Sequence, residues 1–524
     1  MKHTRKNHAL GLVYTSPSQQ VLAGFEHPFE RELDPTNRWV VLANLVPWDE
    51  ICGIYHKQVG ISHTGRPGLS PRVAIGALMI KYLCNLDDRE TVEQISENLY
   101  MQYFLGYPSF TCERPFDASL FVELRKRLGI DAINSINERI VSLRTRLLEP
   151  SLSKDSGEND NTPAGMEQEA DNCPKTEKSE DQQEKAENRG RILFDATACP
   201  QDIAYPTDLT LLSEAREVSE RLIDQLYCPV LHAQKPRTYR KIARKNYLKT
   251  AQKKNKTKKE IRNAVRRQLG YLKRNINSIH KLLDGYPNTF PLDRKDRKYF
   301  YVIQTLFDQQ LEMYKNRRHT VEDRIVSIHQ PHVRPIVRGK SQSKVEFGSK
   351  IHVSLIDGIS FLDELSWDAF NEGSHMQKYV EGYHRRFGCY PKEVLADKIY
   401  CTRENRQMLK NKGIKLIAKP LGRPAAVSIH VRPGERNPIE GKFGQAKTGY
   451  GLNRIKARLR QTSESWIAGI FLVLNLVKLA GAALPCLILN LWLGFSAYMQ
   501  KLWCQIRLIY LSVLARVRLQ GRLA

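Results

Sequence analysis

This 524-residue chain has ten cysteines and no CxxC pair among them. A zinc ribbon or finger needs close pairs, so that class is excluded. A disulfide framework is excluded as well, because a chain of this length can bury a core without one. The thiols read as reduced residues of a cytoplasmic protein. There is no GxxxxGKS/T loop, which removes the commonest phosphate-cradling nucleotide site. His352, His375 and His384 lack HExxH or a comparable metal-ligand spacing and read as surface or core histidines. The first residues are charged, with no apolar run of signal-peptide length. Residues 466–495 are strongly apolar, but Asn475, Lys478 and Pro485 interrupt them before the ~20 residues a bilayer requires. A buried helix, a turn near Pro485 and a second helix are expected there, and no membrane partner.

Acid is also short relative to base: 56 Asp and Glu against 82 Lys and Arg, a formal net charge of +26. Such a balance says nothing about fold, but it favours an anionic partner, nucleic acid first. From Arg237 to Lys281 bases recur at almost every helical turn, among them Lys253, Lys254, Arg266 and Arg267. A basic helix of this length with few acids reads as a phosphate-tracking surface.

Residues 1–65 form a mixed segment with one apolar cluster, Trp39 to Trp48. Residues 66–148 read as a helical domain. Ser70-Pro71 starts a helix as N-cap and first helical residue. A second helix is expected from about Arg89 to Phe104, with Val92, Ile95, Leu99 and Tyr103 at helical spacing. A third, Leu120 to Leu128, is capped by Asp117 and exposes Arg125, Lys126 and Arg127. Periodicity leaves a helix-turn-helix-like DNA-binding unit and a plain packing module equally open. Residues 149–190 are polar and nearly free of large apolar side chains, and read as a disordered linker.

Order returns at Ile192-Leu193-Phe194-Asp195, followed by a helical, basic stretch over 209–325 opened by Pro206-Thr207-Asp208. Lys350 to Ile356 alternates in polarity, Asp357-Gly358 supplies a tight turn, and Ile359-Ser-Phe-Leu follows, which predicts a β-hairpin. Residues 376–388 read as helix, Val394-Leu395-Ala396 as a strand ending at Asp397, Glu404 to Asn411 as helix, and Lys415 to Lys419 as strand. This order implies an α/β core with helices packed on a mixed sheet. Residues 481–524 read as an apolar and basic helical tail.

Asn437-Pro-Ile-Glu440-Gly-Lys-Phe-Gly-Gln-Ala-Lys447 places a carboxylate and a lysine seven residues apart, on one helix face. Asp195 and Asp397 each follow a strand. Two aspartates at strand ends and a glutamate on a later helix are how a protein gathers carboxylates around Mg²⁺ for phosphodiester chemistry. Singly, each has a plainer reading. Asp195 and Asp397 are turn residues after strands, and Glu440 completes a capping box with Asn437 as N-cap. Lys447 reads equally as a solvated helix lysine or a phosphate ligand.

With these motifs in place, the chain resembles bacterial insertion-sequence transposases of the DDE type, in the group called insertion-sequence family five. The resemblance lies in Pro438 to Lys447 followed by Tyr450-Gly-Leu-Asn-Arg-Ile-Lys-Ala-Arg-Leu459, in Leu193 to Thr197, in Val394 to Tyr400 and in Pro67 to Val73. It implies an RNase H-like mixed-sheet catalytic core over 191–480, interrupted by a long helical insertion at 209–325 and preceded by an all-helical domain. It also implies that Asp195, Asp397 and Glu440 are the catalytic and metal-binding triad, with Mg²⁺ or Mn²⁺, two ions, as cofactor. Related transposases carry a Tyr-x2-Arg-x3-Glu-x6-Lys signature. Arg436, Glu440 and Lys447 match its last three members, while Pro433 stands at the tyrosine position. The expected activity is cleavage and strand transfer at terminal inverted repeats, by a homodimer on DNA associated with the nucleoid. A nuclease without joining activity and an inactive DNA-binding derivative are the alternatives.

Overall fold

The computed structural model describes residues 33–60, 68–148, 187–287, 290–337, 345–418 and 434–481. The expected linker, apart from its last residues, lies outside them, as do Pro433, Pro485 and the C-terminal tail. The chain divides into two compact units, Met1–Glu187 with Phe471–Ala524, and Asn188–Ile470.

In the first unit the described elements are helices: α1 (Arg38–Leu45), α2 (Trp48–Val59), α3 (Pro71–Leu83), α4 (Asp88–Glu97), α5 (Leu99–Leu105) and α6 (Leu120–Leu148). Trp39 and Trp48 pack on Phe104 with ring centroids 5.4 and 5.1 Å apart. Ser70 is the N-cap of α3, with Pro71 in its first turn. The single helix expected over 89–104 is broken at Asn98, whose extended backbone ends α4 and whose side chain accepts from Met101 N to cap α5. The helix that begins at Leu120 is kinked at Gly129, with φ +67°. Arg125, expected on the surface, is only 3% exposed and forms a bidentate pair with Asp88, at 2.9 and 2.7 Å. Lys81, 1% exposed, reaches the same carboxylate at 2.9 Å.

The second unit is built on a six-stranded sheet: β1 (Arg191–Pro200), β2 (Arg334–Val337), β3 (Val345–Ile356), β4 (Ile359–Ser366), β5 (Glu393–Leu395) and β6 (Lys415–Ile417). The spatial order is β2-β3-β1-β5-β6, with β4 also on β3. The β1, β2 and β4 pairings to β3 are antiparallel; β1–β5 and β5–β6 are parallel. The fold is therefore α/β with a mixed sheet, as the element order implied. The hairpin turn is Asp357-Gly358, with φ of +49° and +82°, the pair of positive angles that a two-residue hairpin loop demands. The helices α11 (Met376–Phe387) and α12 (Arg403–Asn411) follow, then α13 (Asn437–Gly449). Ile192, Leu193 and Phe194 are buried, as expected of a central strand covered on both faces.

Four helices separate β1 from β2: α7 (Asp208–Leu226), α8 (Arg240–Ala251), α9 (Lys258–Asp284) and α10 (Arg294–Asn316). Thr207 caps α7 through its side chain. Leu212, Leu222, Leu272, Ile279, Ile303 and Leu306 give α7, α9 and α10 a core of their own. α14 (Arg460–Gly481) is long and apolar enough to cross a membrane by length and composition, but two thirds of its apolar window is buried. Such burial is also the mark of a core helix in a soluble protein. In its latter half the buried Asn475 donates to Asn137 at 2.9 Å.

Candidate active site

The site starts from strand register. Leu193 on β1 pairs with Leu395 on the parallel β5. Side chains repeat every two residues along a strand, so Asp195 and Asp397, two positions beyond that pair, emerge beside each other. Asp195 is within β1, opposite Val353 of β3. Asp397 has left β5 and caps the short 3₁₀ turn Lys398–Tyr400, accepting from Lys398 N at 2.7 Å. That turn is tied down by Asn405, whose amide donates to Tyr400 O at 3.0 Å and to Gly373 O at 2.7 Å.

Arg436 joins the two aspartates. One guanidinium nitrogen lies 3.4 Å from Asp195 Oδ2 and the other 3.2 Å from Asp397 Oδ1. The residue before it is anchored as well: Glu435 meets Arg191 at 3.2 Å, and Arg191 meets Glu393 at 3.6 Å. Arg191 and Glu393 themselves pair at the start of β1 and β5. Arg436 is thus held against the same two strands that carry the aspartates. It is the cap residue of α13, immediately before the helix, with φ −92° and ψ −9°.

The capping box expected of Asn437 and Glu440 is absent, since α13 has no side-chain cap and Asn437 lies inside its first turn. The residue in the N-cap position is Arg436, because Asn437 N closes a turn onto Gly434 O at 3.0 Å. Glu440 is exposed in the first turn of α13. Ile439, Phe443 and Ala446 bury the other face. Lys447 is half-buried two turns along the Glu440 face.

Burial pushes the Asp195 carboxyl above the usual carboxylate range, and the charges of Asp397 and Glu440 push the same way, against Arg436 and the Ala196 N–H. Glu440 is therefore close enough to be felt at Asp195. Among the described residues, no three His, Cys, Asp or Glu side chains stand close enough together to hold an ion. Two of the three expected ligands converge on one cation, Arg436, while the third, Glu440, acts on Asp195 through its charge alone. Oxygen donors that crowd negative charge suit a hard divalent ion.

The remaining basic candidates are distant in sequence. Lys253 pairs with Glu260 at 2.6 Å in the turn before α9, and Lys254 is exposed there. Arg266 and Arg267 stand on the exposed face of α9, opposite Leu269, Leu272, Ile276 and Ile279. On the same face Arg274 lies over the rings of Tyr239 and Tyr271, 4.9 and 5.0 Å from their centroids. Sequence reading missed Asn405 and Arg191, which reach Gly373 and Glu435 in other segments.

Comparison with known proteins fits this arrangement. Residues 394–477, which carry Asp397, Arg436, Glu440 and Lys447, match the family described as the transposase DDE domain. Residues 27–127 match a family described as a transposase domain (DUF772). Both matches are to transposase domains, consistent with the DDE-type transposase of insertion sequences that the motifs suggested, and such domains imply DNA as partner and divalent metal as cofactor. Within curated proteins the chain is similar to "Uncharacterized protein ORF8 in nfe locus" of Rhizobium meliloti, 28% identical over 202 residues that cover 38% of this chain and 78% of the relative. No solved structure matches.

Proposed function

We propose that this transposase binds the terminal inverted repeats of its own insertion sequence, cleaves a DNA strand at each end and joins the freed 3′-hydroxyl to target DNA. The observation that carries the reading is the β1–β5 register, which puts Asp195 and Asp397 on one cation. The sheet order and mixed strand directions are compatible with an RNase H-like core.

Asp195, Asp397 and Glu440 would hold Mg²⁺ or Mn²⁺, two ions in our reading. When bound, such ions activate an attacking oxygen and stabilise a leaving one. The protein's own part is positioning and charge. The strand-end aspartates set where the scissile phosphodiester must lie. Arg436 and Lys447, on either side of Glu440 in sequence, bind its neighbouring phosphates. Lys253, Lys254, Arg266 and Arg267 on the helical insertion clamp the transposon end through its backbone, which needs charge but no base readout. Two ends must be handled together, which calls for a homodimer on DNA, in the cytoplasm at the nucleoid.

The test uses full-length protein, Mg²⁺ and a duplex ending in the element's terminal repeat, either intact or pre-cleaved to expose its 3′-hydroxyl. Joining of the pre-cleaved end to a target plasmid supports the transposase reading. Cleavage of the intact end without any joining would leave only a nuclease.

A further inference from the structure

Arg436 is assigned to phosphate in the reading above, yet in this structure it holds the two aspartates. We propose that Arg436 is a resident counter-cation, which keeps Asp195 and Asp397 together in the metal-free protein and is displaced by the arriving divalent ion, so that loading the site frees the guanidinium for the DNA backbone. The inference rests on the metal-site reading and adds a sequence of events to it.

Three observations carry it. First, the β1–β5 register forces two carboxylates into one place, and like charges so close need a cation. Arg436 supplies it before any metal does. Second, the hold is loose. Each nitrogen takes a different carboxylate, at 3.4 and 3.2 Å, where a fork-to-fork pair makes two parallel contacts of ~2.7–2.9 Å. The same chain makes that tighter kind of pair between Arg125 and Asp88, at 2.9 and 2.7 Å. Third, Arg436 Nε is buried without a hydrogen-bond partner among the described residues. The guanidinium therefore holds the aspartates through its two terminal nitrogens alone. Asp397 is 56% exposed, which leaves an ion a route from solvent.

Displacement implies competition. Removing the guanidinium should tighten metal binding, whereas an arginine that merely orders the site would loosen binding when removed. The experiment is a Mn²⁺ titration of the full-length, DNA-free protein, read by electron paramagnetic resonance as free against bound ion, with melting of the metal-free form as a second readout. Arg436→Gln should bind Mn²⁺ at least about fivefold tighter than the parent, the lower end of an ordinary coupling between two ligands. Its metal-free form should melt lower, because the aspartates then repel unopposed. Arg436→Lys keeps the charge without the fork and should fall between. Unchanged or weaker Mn²⁺ binding by Arg436→Gln, with binding still lost in Asp195→Asn, would overturn the displacement and spare the metal site. Binding that survives Asp195→Asn unaltered would overturn both.

Discussion

Truncating Asp88 to alanine should cost the helical unit about 3 kcal/mol of stability, and the reason lies in what it leaves behind. Asp88 is the shared partner of Arg125 and Lys81, which are 3% and 1% exposed. Breaking a buried ion pair typically costs ~3–5 kcal/mol, because the surviving charge keeps its desolvation penalty without compensation. Asp88 itself is 27% exposed, so water screens part of the effect and the lower end applies. Burial opposes the charge on both Asp88 and Lys81. At Asp88 the two cationic partners outweigh it and hold the carboxyl below the usual range, while at Lys81 burial wins and pulls the amine down. We therefore take the Arg125 pair as the main contribution. The sign follows: a depressed carboxylate stabilises above the unfolded value of about 4 and loses that stability as pH falls through the folded value. Denaturant titration of the full chain at neutral pH and at pH values well below 4, where the carboxyl takes up its proton, measures both effects. Asp88→Asn should flatten the acid limb of the parent. A loss under about 1 kcal/mol in Asp88→Ala, with an acid limb identical in Asp88→Asn, would refute the reasoning. Because Arg125 is inside, Arg125→Ala should weaken folding while leaving the salt dependence of DNA binding unchanged.

Other expectations follow from individual residues. A Cβ on Gly348 would run into the Cys199 carbonyl of β1, and backbone cannot move aside, so Gly348→Ala should lose about 1–3 kcal/mol by overpacking, measured by thermal melting. Asn405→Ala unties the turn that carries Asp397, so the rate of strand cleavage should fall more than affinity for terminal-repeat DNA; equal losses in both would count against a positioning role. Neutralising Lys253, Lys254, Arg266 and Arg267 together should make the log–log salt slope of DNA binding shallower by roughly 0.9 for each phosphate left without its cation. An unchanged slope would remove the helical insertion from the DNA interface.

Much of the sheet was legible because its signals are local. Asp357-Gly358 between alternating strands, the apolar runs ending at Asp195 and Asp397, and Thr207 before Asp208 each announce an element within a few residues. What was not legible depends on partners remote in sequence or on local side-chain and turn bonds that apolar spacing does not reveal. Arg125 looks like a surface base until Asp88 of another helix claims it. The break at Asn98 is invisible to apolar spacing, which runs on through it, and shows only in the side chain's bond to Met101 N. Asn437-Pro438 correctly announced a helix start but not its cap. A turn onto Gly434 shifts the N-cap position to Arg436, leaving Glu440 free of the capping box. The adjacency of Asp195 and Asp397 needed the register of β1 on β5, which no property of either segment alone supplies.

The most direct test of the account compares cleavage and binding in the same preparations of Asp195→Ala, Asp397→Ala and Glu440→Ala. With terminal-repeat duplex and Mg²⁺ under single turnover, each variant should lose strand cleavage while still binding the duplex at parental affinity. Parental cleavage rates in the three variants would contradict it.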